Sequence, residues 1–335
     1  MIDRRLSVAP MMEWTDRHCR RMLRLCAPNA LLYTEMVSAD ALRHGNAKRL
    51  LQFTQEEHPV ALQIGGADPE VLAYAARLGF EAGYCEINLN VGCPSERVQH
   101  GRFGACLMTE PELVAQCLTA MRETCDVPVT VKCRLGLDGE NRYEFLRRFI
   151  DTVMPSCDAF IVHARIAVLN GLSPKLNREI PPLDPARVYR LKCELPELCV
   201  VLNGGIVNLG QARKALERCD GIMIGREAYH NPWFLRELNR ALFPSTPVMR
   251  DRHALLEAYL PYVESELATG TRLWAMVRHL LGLFNGLPGA RRFRRHLSTA
   301  ARVADADAST LTHAARMVSR KLDNTYVRTP EAALS

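Results

Sequence analysis

Eight short apolar runs, rich in β-branched residues, recur through the first 230 residues of this chain and limit what it can fold into. They are LSVAPM from Leu6, LYTEMV from Leu32, VALQIGG from Val60, CEINLNVG from Cys85, VTVKCRLG from Val129, AFIVHAR from Ala159, CVVLNGG from Cys199 and GIMIGRE from Gly221. Nearly continuous runs of this kind, rather than strict alternation, fit parallel strands covered on both faces. Helical segments separate them. Asp68-Pro69-Glu70 opens one, with aspartate as N-cap and proline at the first helical position. Glu110-Pro111-Glu112, after Thr109, repeats the device, and NRYEFLRRFIDTV and NLGQARKALERC follow later. After the second strand no clear helix is legible. This alternation, over about 240 residues, predicts a (β/α)8 TIM barrel. A doubly wound sheet would normally show Gly-x-Gly-x-x-Gly after its first strand. Here that turn is Ala9-Pro10-Met11-Met12, and neither that fingerprint nor a P-loop occurs.

Beyond Phe243 a Pro-containing junction, PSTPVMRDRH, ends the strand signal. Four helical segments follow: HALLEAYLPYVESELA, RLWAMVRHLLGLFNG, ARRFRRHLSTAARVA and ASTLTHAARMVSRKLDN. The reading is a catalytic barrel over residues 1–245 and a small helical bundle over 250–328, with TPEAALS frayed at the end. Charge follows the same division. The chain carries a net charge of +6, yet from Arg250 onward 13 Lys and Arg face 8 Asp and Glu, a net of +5. A basic tail on a nearly neutral barrel suits an anionic partner; a solvated helical face is the alternative.

No apolar run approaches the roughly 18 residues that span a bilayer. The first residues, MIDRRLSVAP, lack a signal peptide's apolar core. A cytoplasmic protein without a membrane or stable protein partner is expected. No two of the 12 cysteines are spaced CxxC, which sets aside zinc-ribbon, ferredoxin and thioredoxin patterns, and no metal site is expected. Most cysteines of a cytosolic protein are reduced, small core hydrophobes. Cys93 stands apart, between Gly92 and Pro94 where a strand ends. Packing, metal binding, redox chemistry and proton transfer are all open to it.

In a barrel the C-terminal ends of the strands converge on one mouth. Those ends read, in order, Pro10-Met11-Met12, Glu35, Gln63, then Asn88, Asn90 and Cys93, then Lys132 and Arg134, then His163 and Arg165, Asn203-Gly204-Gly205 and Gly225-Arg226. The opposite ends show no similar array. Barrels that hold phosphate often do so after strands seven and eight. There Gly204, Gly205 and Gly225 let a phosphate approach the backbone, and Arg226 adds a bidentate partner. Lys132 and His163 face the other end of such a ligand. One phosphate plus a flat, electron-accepting ring describes FMN. Lys132 would stabilise the ring's N1/C2 edge, and Gln63 would hydrogen-bond its polar edge.

The chain resembles the tRNA-dihydrouridine synthases, most closely their A-type bacterial subfamily. The matching stretches are SVAPMMEWTDRHCR, LLYTEMV, EEHPVALQIGG, EINLNVGCPSERVQHGRFGACLM, VPVTVKCRLG, NREIPPL, NGGI, DGIMIGREAY and RHLLGLFNGLPGARRFRRHLS. They cover nearly the whole chain. The resemblance implies an FMN-binding barrel and a helical domain that grips tRNA, with NADPH as a transiently bound reductant. It implies reduction of uridine at positions 20 and 20a of the D-loop. Carried over, Pro10, Met11, Met12, Gln63, Lys132, His163, Asn203, Gly204, Gly205, Gly225 and Arg226 bind FMN, and Cys93 donates a proton. Asn90 touches the tRNA substrate, Lys175 and Arg178 contact tRNA, and Arg291, Arg294 and Arg295 continue that surface.

The implied chemistry suits a thiol. Hydride from FMN N5 goes to C6 of the uracil, and C5 then needs a proton. A thiol with a pKa of about 8.5 is mostly protonated near neutrality and serves as general acid. The target base must leave its stack to reach the mouth. The runner-up is another FMN barrel oxidoreductase acting on a free pyrimidine such as dihydroorotate. A tRNA-binding protein without catalysis and a Schiff-base aldolase using Lys132 are more distant.

Overall fold

The structure, a computed structural model, describes residues 2–321. The end of the last expected helix and the TPEAALS tail lie outside the described residues.

Each of the eight apolar runs forms a strand. These are β1 (Leu6–Val8), β2 (Leu31–Ser38), β3 (Val60–Gly65), β4 (Glu86–Val91), β5 (Val129–Arg134), β6 (Phe160–His163), β7 (Val200–Asn203) and β8 (Gly221–Ile224). They pair in chain order, every pair parallel, and β8 closes on β1 with Ile222 opposite Leu6. The protein is therefore a (β/α)8 TIM barrel. Every residue of β3 and β4 is buried, which is why these strands read as continuous runs.

Side chains alternate between the barrel axis and the surrounding helices. Ala9, Leu31, Tyr33, Ala61, Ile161, Val201 and Met223 meet in one buried cluster, so residues of that parity face the axis. The same parity turns Gln63, His163 and Asn203 inward, and hydrogen bonds from Gln63 set the inward face of β4 and β5 as Glu86, Asn88, Asn90, Thr130, Lys132 and Arg134. Inward polar residues placed late in their strands gather at the mouth.

The helix Pro69–Glu81 starts as expected: Asp68 accepts a 3.0 Å hydrogen bond from the Val71 amide. The expected repeat before Pro111–Arg122 differs. Glu110 makes no cap, and the Thr109 hydroxyl turns back to donate to the Cys106 carbonyl at 2.8 Å. The preceding turn, Gly104–Thr109, is itself a 3-10 helix, and it takes that hydroxyl. After β2 come two short helices, Ala39–His44 and Ala47–Leu50. Their shortness explains the weak sequence signal there.

By packing, the chain sorts into two units. One comprises Met1–Arg17 and Ala30–Gly225; the other joins His18–Asn29 to the described residues from Arg226 onward. Residues 18–29 and 226–245 thus sort with the helices rather than the strands. The second unit contains Arg252–Ala268 and Ala290–Ala300, close to two of the four expected tail helices, and Ser309–Ala315, which covers less than half of the last one. The remaining one, expected over RLWAMVRHLLGLFNG, is shorter still. Leu273–Val277 is helical and only a 3-10 turn, Arg278–Leu280, continues it. Just beyond, Gly282 runs so close to the His230 carbonyl that a Cβ would lie 2.2 Å from its oxygen.

Candidate active site

The reactive loop is built on Asn90. Its Oδ1 accepts from the Gly92 amide at 3.1 Å and from the Cys93 amide at 2.9 Å, bending the chain directly after β4. Its Nδ2 donates to Gln63 Oε1 at 2.8 Å. Both lone pairs of Oδ1 are in use, so Asn90 has one N–H left to give. Cys93 itself is half-buried, and its thiol lies 3.5 Å from the Ser95 hydroxyl. Its carbonyl accepts from the Ala105 amide at 2.9 Å. The loop is thus held by its backbone while the sulfur stays accessible.

Arg134 pins the same loop from below. It is buried, and its Nε donates to the Gly92 carbonyl at 3.1 Å. One of its terminal nitrogens reaches the Ile166 and Asn177 carbonyls at 3.2 and 3.1 Å. Asn177 is fully buried and staples the segment after β6 through Val168 and Leu172. Lys175 and Arg178, on either side of it, are exposed. The sequence offered no role for Asn177; its only signal was an amide residue inside a Pro-, Lys- and Arg-rich loop.

The side chains of Lys132 and His163 differ in having no hydrogen-bond or ion-pair partner among the described residues. Burial, followed by the Arg134 guanidinium, pushes the Lys132 ammonium down to about 7. Burial, then Arg134, Lys132, Arg165 and Arg178, push His163 well below its ordinary value, so its imidazole is neutral near pH 7. Arg134 itself is lowered to about 10, mainly by burial. No carboxylate figures among the groups acting on these three side chains. The guanidiniums of Arg134 and Arg178 thus act on Lys132 and His163 together, and that of Arg165 on His163, an electropositive setting that favours an anion.

The loops after β7 and β8 offer backbone. Asn203 is buried and donates to the Met223 carbonyl at 2.9 Å, tying β7 to β8. Gly204 and Gly205 are both left-handed, with φ of 108° and 77°. A Cβ on Gly204 would lie 3.0 Å from the His163 ring, and one on Gly205 would lie 2.2 Å from Leu183. Gly225 has nothing within 4 Å of where its Cβ would sit. Side-chain-free backbone beside His163 and Lys132 fits a ligand carrying a phosphate and a polar ring. Arg226 follows Gly225 in the chain and opens the helix Arg226–His230 of the second unit.

At the end of β1, Met11 is held by its own turn: its amide donates to Thr15 Oγ1 at 2.9 Å. Met11 packs on the inner cluster, Pro10 is half-buried, and Met12 is 57% exposed. Gln63 is buried, with its Nε2 donating to Asn88 at 2.8 Å.

In the second unit, Arg291 and Arg295 are exposed on the helix Ala290–Ala300. Arg294 is half-buried and donates to Asn285 Oδ1 at 2.6 Å. Phe293, between the arginines, is fully buried and meets Phe284 edge-on at 4.8 Å. It serves the helical core and leaves the arginines to face outward.

All 12 cysteines are free thiols. Among the described residues no group of His, Cys, Asp and Glu could hold a metal ion, and no helix is long and apolar enough to cross a membrane.

Comparison with known proteins gives a consistent result. The family model for dihydrouridine synthase (Dus) matches residues 7–319. The chain is 57% identical over 298 residues to the tRNA-dihydrouridine(20/20a) synthase of Shewanella oneidensis, an alignment covering 89% of each. It is 54% identical over 319 residues to the protein of that name from Escherichia coli K12, covering 95% of this chain and 92% of the relative. The Vibrio cholerae protein of the same name is 55% identical over 296 residues, 88% and 90% of the two chains.

Proposed function

This chain belongs to the dihydrouridine synthase family, and on that premise we propose that it reduces uridine to 5,6-dihydrouridine in tRNA, at positions 20 and 20a. The observation that carries the reading is the half-buried Cys93 thiol on a loop tethered by Asn90, at the mouth that holds the unpartnered Lys132 and His163. The direct test is to map dihydrouridine in tRNA from cells with and without this protein. Unmodified uridine at both positions in the deletion supports the reading; unchanged dihydrouridine there overturns it. The free-pyrimidine alternative is not favoured, because these relatives are named for tRNA. A tRNA substrate supports a cytoplasmic site of work.

The mouth fits FMN as cofactor. Gly204, Gly205 and Gly225 would give backbone to its phosphate, and Lys132, His163, Gln63 and Pro10 to Met12 would hold its ring. When bound, FMN supplies the hydride for C6, with NADPH as the ultimate reductant. Gly225 gives a clean check, since its φ is not left-handed and its Cβ would meet nothing. Gly225→Ala is expected to keep the parent's thermal midpoint and to bind FMN about tenfold more weakly in a fluorescence titration. Parental affinity would remove Gly225 from the phosphate site.

The protein's own part is proton delivery and positioning. Reduction at C6 leaves negative charge on C5 and on the C4 oxygen of the pyrimidine. The Cys93 thiol gives its proton to C5 as general acid. The remaining N–H of Asn90, whose Oδ1 holds the Cys93 amide, donates to the base. Lys132 would hold positive charge against the bound cofactor's ring.

Lys175 and Arg178 in the first unit, and Arg291, Arg294 and Arg295 in the second, serve the tRNA. Phosphate contacts position the RNA while the pocket handles the base. The exposed pair gives the sharpest test. Arg291→Ala with Arg295→Ala is expected to weaken tRNA binding and to lower the log–log salt slope by about 1 to 2. An unchanged slope would remove this helix from the RNA surface.

A further inference from the structure

Inward-facing residues of β3, β4 and β5 lie side by side by register: Gln63 opposite Asn88, and Asn88 opposite Thr130. They form one chain of hydrogen bonds down the barrel axis. Asn90 donates to Gln63, and Gln63 donates to Asn88, each at 2.8 Å. Asn88 Nδ2 donates to Thr130 Oγ1 at 2.8 Å, and the Thr130 hydroxyl donates to Glu86 Oε1 at 2.7 Å. Glu86 is fully buried; it also receives the Tyr33 hydroxyl and an ion pair from Arg4, each at 2.5 Å.

The direction of this chain is fixed at both ends. At the mouth, the Gly92 and Cys93 amides can only donate, so Asn90 must present its oxygen to them. At the floor, the Glu86 carboxylate accepts from every partner it has here, so Thr130 must spend its hydrogen there. Each amide between them then has a single orientation. A flip anywhere would set two donors or two acceptors against each other in a buried interior.

We propose that Thr130, with Glu86 behind it, is a positioning residue for Cys93, acting through Asn88, Gln63 and Asn90 to hold the reactive loop closed. Without the Thr130 hydroxyl, Asn88 Nδ2 loses its acceptor. Rotating the amides to satisfy it would turn Asn90 Nδ2 toward two backbone N–H groups, and the loop would release.

The experiment compares the parent with Thr130→Val and Thr130→Ser. Alkylation of Cys93 by iodoacetamide is followed by peptide mass spectrometry, with neither tRNA nor reductant present. The exposed Cys193 is the internal reference. Thr130→Val is expected to alkylate Cys93 about fivefold faster, the factor one net buried hydrogen bond commands, with Cys193 unchanged. Thr130→Ser, which keeps the hydroxyl, should return to the parental rate. If Thr130→Val does not fold, Thr130→Ala carries the same expectation. Parental alkylation in the folded hydroxyl-free variant overturns the proposal.

Turnover is read separately, because it rests on the reading of Cys93 as proton donor. There kcat for dihydrouridine formation should fall about fivefold or more, with KM for tRNA unchanged. Faster alkylation with undiminished turnover would uphold the positioning chain and remove Cys93 from proton delivery.

Discussion

Cys93→Ala is expected to form dihydrouridine about 10²- to 10⁴-fold more slowly than the parent, the range a positioned general acid contributes. Binding of FMN and of tRNA should be unchanged, since the loop is held by the Asn90 side chain and the Ala105 amide rather than by the thiol. The two half-reactions separate the outcomes. Bleaching of bound flavin by NADPH should proceed at the parental rate, while transfer to tRNA stalls. Cys93→Ser should resemble the alanine variant, because a serine hydroxyl is a far weaker acid than a thiol. The measurement is single-turnover dihydrouridine formation on unmodified tRNA, read by mass spectrometry. A near-parental rate in Cys93→Ala would show that another group delivers the proton. Lys132, lowered to about 7, would then be the first to examine.

How far the sequence carried depends on what each feature records locally. The eight strands were legible because burial on both faces leaves continuous apolar runs, and β3 and β4 are buried throughout. The mouth was legible because Gln63, Asn90, Lys132, His163 and Asn203 share one parity near the ends of their strands. Tertiary partners were not legible. Thr130 reads as an ordinary strand threonine until Asn88 and Glu86 are seen on either side of it. Asn177 reads as a loop residue until Arg134 reaches its carbonyl. The cap expected before Pro111 was not made: the Glu110 side chain takes no amide of the first turn, and the 3-10 turn ending at Thr109 uses the neighbouring hydroxyl. Phe293 stands among arginines in the sequence, and only its packing against Phe284 shows that it belongs to the helical core.

Lys132→Met is expected to slow dihydrouridine formation by about 10²- to 10³-fold, the usual loss when one electrostatic partner of a developing charge is removed. The same substitution should make the cofactor-free protein less sensitive to pH. The folded state holds Lys132 near 7, against an ordinary value of 10.5. Between those values the unfolded chain binds a proton that the folded chain does not, so stability rises with pH. Two other sets of groups bound the useful window. His163 is lowered from 6.5, so it weakens the fold only at or below that pH. Buried thiols such as Cys26 and Cys133 are raised from 9.0 to about 12, so their stabilising contribution is lost only above 9. Between pH 7 and 9 the parent's thermal midpoint should therefore climb, and that of Lys132→Met should climb less. An anion at the mouth reverses the bias by favouring the charged ammonium. Binding of FMN to the parent at pH 8 should take up a proton, visible as a dependence of calorimetric heat on buffer ionisation enthalpy. Lys132→Met should take up less. Equal proton uptake by the two proteins would place the ligand's charge away from Lys132 and remove that residue from the cofactor site.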